Sequence, residues 1–70
     1  MRVMLEITLN GEARRFPASI TVDAMLGALG LDRRKVAVER NEEIVPRSLY
    51  REMALLPGDR IEIVHFIGGG

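Results

Sequence analysis

Cysteine is absent from the 70-residue sequence, and His65 is its single histidine. Without thiols the chain can form no disulfide, thiolate metal site or cysteine nucleophile, and one imidazole is too few for a histidine-based metal cluster. A chain of this length makes one small domain with little room for an enclosed substrate pocket. We therefore expect a protein that is not an enzyme and binds no cofactor of its own.

An excess of charge of one sign is also missing, because ten Lys and Arg residues balance ten Asp and Glu residues. A net charge of zero gives no positive field to attract nucleic acid or an anionic membrane. No apolar run approaches the roughly 18 residues of a membrane span, and charges interrupt the N-terminal segment before a signal-peptide core could form. These features predict a cytoplasmic protein that binds neither nucleic acid nor membranes.

Alternation of apolar and polar residues predicts a first strand at residues 3–9. Asn10-Gly11 follows, and this dipeptide favours a type I′ turn because both of its positions take positive φ. Residues 12–16 should therefore return as an antiparallel strand. The register of a two-residue turn puts Arg14 opposite Ile7, so either Arg14 reaches outwards from a sheet edge or the turn carries a bulge.

One main helix is predicted at residues 22–29, where apolar residues recur at spacings of three and four. Thr21 suits its N-cap and Gly30 a left-handed C-cap. Arg33-Arg34-Lys35 comes next and indicates a solvated turn that complements the helix C-terminus, with recognition of an acidic partner as the alternative.

Two further strands are predicted at residues 36–40 and 60–66, with a stub at 44–45 after a turn at 41–43. Residues 47–55 are too short for a stable helix and indicate a single turn or an irregular loop. A hairpin, a helix and further short strands in this order predict an α+β fold. We expect the ubiquitin-like β-grasp, a mixed four- to five-stranded sheet on one main helix, with the last strand central and parallel to the first. Its core should contain Val3, Leu5, Ile7, Leu26, Leu29, Val38, Ile61 and Ile63.

Three glycines follow the last strand directly, and they predict a domain at residues 1–67 with a flexible tail at 68–70. A terminal segment without side chains adds nothing to a core and loses much entropy if it is ordered, so a disordered tail is the simplest interpretation. The same segment can also enter a narrow channel in another protein and present a carboxylate there. We expect a mobile arm of this second kind.

Several segments resemble the ThiS family of sulfur carriers: Val45-Pro46-Arg47-Ser48, the start of the last strand at residues 58–64, and Phe66-Ile67-Gly68-Gly69-Gly70. The resemblance implies that a ThiF-like adenylyltransferase, using ATP and Mg²⁺, adenylates the carboxylate of Gly70. A sulfur donor such as a cysteine desulfurase would convert the adenylate to a thiocarboxylate. A ThiG-like thiazole synthase would then take the sulfur for thiamine thiazole formation.

Val64 and Phe66 alternate with the core residues of the last strand, so both should face solvent, with Met4 expected nearby. This patch is either ordinary surface or, together with Gly68 and Gly69, a partner-binding face. Two other functions stay open. A molybdopterin-type sulfur carrier would use the same terminus for a different acceptor, and a non-conjugating β-grasp interaction module would not use the terminal carboxylate.

Overall fold

A five-stranded mixed sheet and one α-helix make up the fold of residues 3–66, which are the residues that the computed structural model describes. The elements are β1 (Met4–Leu9), β2 (Glu12–Pro17), α1 (Val22–Ala28), β3 (Val36–Arg40), β4 (Glu43–Ile44) and β5 (Arg60–His65). Two 3₁₀ turns, Arg33–Lys35 and Arg47–Leu49, join them.

The strand order is β2-β1-β5-β3-β4, with β5 in the centre and parallel to β1. The other neighbouring strands are antiparallel. This is the predicted β-grasp arrangement, including the central position of the last strand. The irregular course predicted for residues 47–55 is also confirmed, because they hold only a short 3₁₀ turn.

The β1–β2 hairpin turns at Asn10 and Gly11, whose φ angles of 48° and 85° belong to the predicted type I′ turn. Six consecutive residue pairs follow without a bulge, and Arg14 lies opposite Ile7. Arg14 is nevertheless exposed while Ile7 is buried. Because β2 is an edge strand, the long Arg14 side chain reaches solvent past the sheet, which decides between the two alternatives.

Helix α1 begins as predicted, since the Thr21 Oγ1 accepts a hydrogen bond from the Ala24 N–H at 3.1 Å. The helix ends at Ala28, one residue earlier than expected, and Gly30 follows with a φ of 73°. The turn between β3 and β4 is shorter than predicted. Asn41 and Glu42 both have positive φ and form a two-residue turn, so β4 is Glu43–Ile44 rather than residues 44–45.

The core lies mainly between the helix and one face of the sheet, and five of the eight predicted core residues are buried: Leu5, Ile7, Leu26, Val38 and Ile61. Leu29 and Ile63 are partly buried against them. The prediction for Val3 is wrong, because this side chain is 69% exposed. Strand β5 pairs only with the last two residues of β1, and Val3 lies five residues before them, outside the shared part of the sheet.

Residues 45–59 supply core residues that the sequence patterns did not indicate. Tyr50 is 1% exposed, and Val45 and Leu55 are buried beside it. Backbone hydrogen bonds tie this segment to the start of the helix, since the Asp23 N–H donates to the Tyr50 carbonyl at 2.8 Å. The segment therefore covers part of the core, although its apolar residues follow no repeating period.

Asp59 is the one charged side chain that is buried among residues 3–66. It accepts from the Leu56 N–H at 2.9 Å and from the Asn41 side chain at 3.1 Å, and it lies 2.8 Å from the Arg40 Nε. These contacts compensate the carboxylate for the water it loses. They also fix the predicted turn before β5 against the turn between β3 and β4.

Candidate functional site

The C-terminal end of β5 is the candidate site, because this strand leads towards the predicted glycine arm. Gly68, Gly69 and Gly70 lie outside the described residues, so their predicted roles and mobility stay predictions. Val64 and Phe66 are 57% and 56% exposed, as the alternation predicts. Their role in partner binding also stays a prediction.

Strand β3 holds one side of this end. Val64 pairs with Ala37 and His65 with Val36, and the Phe66 N–H donates to the Lys35 carbonyl at 2.9 Å. The strand is therefore in hydrogen-bonded register up to the last described residue. A chain that continues from it starts from a defined position and direction.

The other side of the same end is open. Strand β1 ends at Leu9, and beyond it the Asn10 side chain bonds to the backbone of β5 as a strand residue would. It accepts from the Ile63 N–H at 2.8 Å and donates to the Ile63 carbonyl at 3.4 Å. Alternate residues of a strand direct their polar groups to the same neighbour. The N–H and C=O of His65 therefore point to the edge beyond Asn10, where β1 offers no strand.

Met4 is exposed, but its predicted position near Val64 is wrong. The parallel register aligns Thr8 with Arg60, so Met4 lies four residues before this pair and Val64 four residues after it. At roughly 3.3 Å per residue, the two are about 26 Å apart along the strands. The apolar surface at the end of β5 therefore consists of Val64 and Phe66 beside Ala37, without Met4.

Two carboxylates border this apolar surface. Glu62 lies opposite Glu39 in the ladder of β5 with β3, on the same sheet face as Val64. Like charges opposite each other destabilise a sheet slightly. A negative border thus separates the apolar end of β5 from the rest of the sheet face.

Arg47, in the Val-Pro-Arg-Ser segment, holds together the two backbone segments that support the end of β5. Its Nε donates to the Arg33 carbonyl at 3.0 Å, and its Nη2 to the Val36 carbonyl at 3.3 Å. These bonds hold the 3₁₀ turn at Arg33–Lys35 against the start of β3, which pairs with the end of β5. Sequence patterns did not indicate this role, nor the bridge from Asn10 to Ile63.

The Arg33–Lys35 turn is largely solvated, as predicted, but its link to the helix differs from the prediction. Asp32 caps it by accepting from the Arg34 N–H at 2.9 Å. The hydrogen bond from the Arg34 side chain lowers the pKa of Asp32 to about 2. Arg33 approaches Asp23 at 3.5 Å, in the first turn of α1, and so does not complement the helix C-terminus.

Residues 3–66 hold no group of three or more His, Asp or Glu side chains arranged to bind a metal ion. In the same part of the chain, no helix is long and apolar enough to cross a membrane.

The sequence model of the ThiS family matches residues 7–70, which is most of the chain. The chain belongs to the ThiS family. The sulfur carrier protein ThiS of Bacillus subtilis is 40% identical over 65 residues, which make up 91% of this chain and 98% of that protein. Membership thus agrees with the resemblance in the Val-Pro-Arg-Ser and glycine segments.

A solved ThiS-family structure has the same fold. The crystal structure of the thiamine biosynthesis protein ThiS from Geobacter metallireducens superimposes with a TM-score of 0.81 at 30% identity, covering 94% of this chain and 100% of that one. The fold is therefore the ubiquitin-like β-grasp that the sequence predicts.

Another relative is much longer. The thiazole synthase of Paramagnetospirillum magneticum is 61% identical over 66 residues, which make up 94% of this chain but 20% of that protein. A second thiazole synthase, from Magnetococcus marinus, matches to the same extent at 47% identity. The chain thus spans about a fifth of the length of these two relatives.

Proposed function

We propose that this protein is a sulfur carrier of thiamine biosynthesis and that the terminal carboxylate of Gly70 carries the sulfur. The observation that carries the proposal is the match to the Bacillus subtilis carrier over nearly its whole length. The chain has no cysteine, so it offers no thiol as another attachment point for sulfur. The carrier is a substrate of other enzymes and catalyses no step itself.

The proposed chemistry begins with a carboxylate, which is a poor electrophile because its charge repels nucleophiles and oxide is a poor leaving group. A carboxylate oxygen of Gly70 attacks the α-phosphorus of ATP on a ThiF-like adenylyltransferase, which uses Mg²⁺, and pyrophosphate leaves. The outer sulfur of a persulfide, carried by a donor such as a cysteine desulfurase, then attacks the acyl carbon and AMP leaves, which gives an acyl disulfide. A second thiol attacks the donor's sulfur, forms a disulfide with it and releases the chain end. The product is a terminal thiocarboxylate.

The acceptor that we propose is a ThiG-like thiazole synthase. Two thiazole synthases contain a segment similar to this chain within a fifth of their length, which supports a close relation between such an enzyme and the carrier. In this proposal the thiocarboxylate sulfur bonds to an electrophilic carbon of the substrate held by the synthase, which forms a thioester. Water then attacks the acyl carbon, the sulfur leaves with the substrate, and Gly70 is a carboxylate again.

Partner binding is assigned to the end of β5 and the residues after it. Gly68 and Gly69 have no side chains to obstruct a narrow channel. Val64 and Phe66 are exposed apolar residues shortly before them in the sequence, and apolar surface of this kind is stabilised when a partner covers it. The continuous register with β3 fixes the position of β5 up to its last residue.

Intact-mass measurement tests the carrier chemistry. Incubation with the activating enzyme, ATP and a sulfur source should raise the mass by about 16 Da, because one sulfur replaces one carboxylate oxygen. One residue appended after Gly70 should abolish the increase, whereas one residue added before Met1 should not. If the C-terminally extended protein still accepts sulfur, the terminal-carboxylate mechanism is wrong and a non-conjugating interaction module takes its place.

Docking is tested separately by replacing Val64 and Phe66 with Ser. The matched control replaces Ile44 and Leu56, which are 65% and 55% exposed elsewhere on the surface. The first pair should slow sulfur loading at limiting enzyme without changing the melting temperature, and the control pair should leave the loading rate unchanged. Equal rates for the two pairs would contradict the assignment of the docking face.

A further inference from the structure

Four arginines surround a shallow cleft of about 430 Å³ on the surface next to the start of β3. We call this feature the basic cleft, and it is lined by Arg33, Arg34, Arg47, Ser48 and Arg51. Among residues 3–66, no carboxylate is part of its lining. These residues come from two 3₁₀ turns and the segment after the second, so the tertiary fold brings their charges together.

Positive charge in the basic cleft exceeds the negative charge beside it. Arg33 and Arg51 share one carboxylate, that of Asp23, at 3.5 and 4.0 Å. The Asp32 carboxylate pairs with Arg34, through two side-chain bonds of 3.1 and 3.2 Å.

Arg47 donates to backbone carbonyls, and no carboxylate among residues 3–66 lies within the 4.0 Å of an ion pair with it. Four guanidinium groups therefore face two carboxylates. The cleft has a local surplus of positive charge although the whole chain has a net charge of zero.

The basic cleft lies beside the place where the chain leaves the described structure. Arg33 and Arg34 belong to the same 3₁₀ turn as Lys35, whose carbonyl accepts from the Phe66 N–H at 2.9 Å. A protein that docks on Val64 and Phe66, as proposed above, therefore approaches this turn closely. Its surface near the arm would face the surplus positive charge.

We propose that the basic cleft docks an acidic segment of the protein partner that receives the chain end. The cleft is broad and shallow, and the Arg34 and Arg51 side chains are 79% and 71% exposed. A small anion needs donors that converge on one point, whereas separated, exposed guanidinium groups suit several carboxylates on an extended surface. Complementary charge of this kind mainly raises the rate and specificity of association. Only the choice of partner rests on the carrier function proposed above.

Titration of the ¹⁵N-labelled full chain with hexaglutamate, monitored by NMR, tests this proposal. At 0.01 M salt, where the screening length is about 30 Å, the signals of the Arg33–Lys35 turn and Arg51 should shift saturably. At 1 M salt, where it is about 3 Å, the shifts should disappear. Hexalysine should cause no shift in these signals.

Matched variants separate the cleft from net charge. Arg34→Gln with Arg51→Gln should weaken hexaglutamate binding by between about 2-fold and 30-fold, as expected for two exposed ion pairs. Arg14→Gln with Arg15→Gln removes the same charge from the exposed edge strand β2 and should leave the affinity within 2-fold of the original. Equal weakening by both pairs would show a net-charge effect and overturn the proposal.

A parallel titration with inorganic pyrophosphate tests the alternative that the basic cleft binds a small anion. Saturable shifts at the cleft with pyrophosphate and none with hexaglutamate would identify a small-anion site and overturn docking of an acidic segment. Hexaglutamate binding requires neither ATP nor Gly70. Failure of sulfur loading would therefore leave this result unchanged, and failure of hexaglutamate binding would leave the mass test of the carrier unchanged.

Discussion

Residues 4–30 and residues 45–59 complete the same core in different ways. The first segment folds through contacts between near neighbours: a hairpin with a two-residue turn and a helix with its own N-cap. The second has only a short 3₁₀ turn, yet it buries Tyr50 and Leu55 almost completely. A segment without regular hydrogen bonding can therefore still contribute fully buried residues to the core.

The difference lies in where each segment finds its partners. In the hairpin, each residue of β1 faces a residue of β2 that is at most 13 positions away. In the second segment, the Leu55 N–H donates to Ile20 at 2.8 Å and the Val22 N–H to Met53 at 2.9 Å. These bonds join positions more than 30 residues apart, so they need the start of the helix to be correctly placed. The second segment thus depends on the first, and substitutions should reveal this dependence.

The largest expected effect is that of Tyr50→Ala. Loss of a fully buried aromatic ring should lower the free energy of unfolding by about 3 to 5 kcal/mol, most of the stability of a domain this small. Urea unfolding followed by circular dichroism measures it, with Tyr50→Phe as the variant that keeps the ring. Leu49→Ala, at a neighbouring position that is 36% exposed, should cost less than about 1 kcal/mol. A loss at Tyr50 as small as that expected at Leu49 would contradict the role of residues 45–59 in the core.

A smaller effect is expected at two glycines of the first segment, and with opposite signs. A Cβ would meet no atom within 4 Å at either Gly11 or Gly27, but Gly11 has a φ of 85° and Gly27 is helical. Gly11→Ala should lower the free energy of unfolding by about 1 kcal/mol through backbone strain. Gly27→Ala should raise it by about 0.5 to 1 kcal/mol, because alanine favours the helix. Thermal unfolding measures both, and the same sign for both would mean that backbone conformation does not control this segment.

The smallest expected effect concerns Asp32, between the two segments. The Arg34 side chain lowers the pKa of this carboxyl from 3.8 to about 2. A carboxyl with a lowered pKa in the folded state stabilises the fold above its ordinary pKa and loses this contribution as the pH falls through the lowered value. The melting temperature of the original protein should therefore exceed that of Asp32→Asn at pH 5, and the gap should narrow between about pH 4 and 2. A difference in melting temperature that does not change with pH would show that the charge of Asp32 is not its cause.

Most of the fold could be predicted because its signals are local. Asn10-Gly11, Thr21 and Gly30 each act on the backbone within a few residues, and all three are placed as expected. Tyr50 could not be recognised as a core residue, because its burial depends on where the helix and the sheet meet. Neither period-two nor helical spacing marks a residue of that kind.

Prediction of the candidate site was limited by register. Alternation correctly predicted which face of β5 exposes Val64 and Phe66, since the period of a strand is fixed. It could not predict which residues of β5 align with which residues of β1. In the observed register, the expected neighbour Met4 lies at the opposite end of the sheet from Val64. The bridge from Asn10 to Ile63 was missed for the same reason, because it exists only in this parallel register.

The central position of β5 has a mechanical consequence. An edge strand that is pulled sideways peels away one hydrogen bond after another. A pull along β5 from its last residue instead loads its ladders with β1 and β3 in shear, so that the bonds must yield together. Tension on the end of β5 is thus resisted by two neighbouring strands at once, and the strand does not peel away from the domain bond by bond.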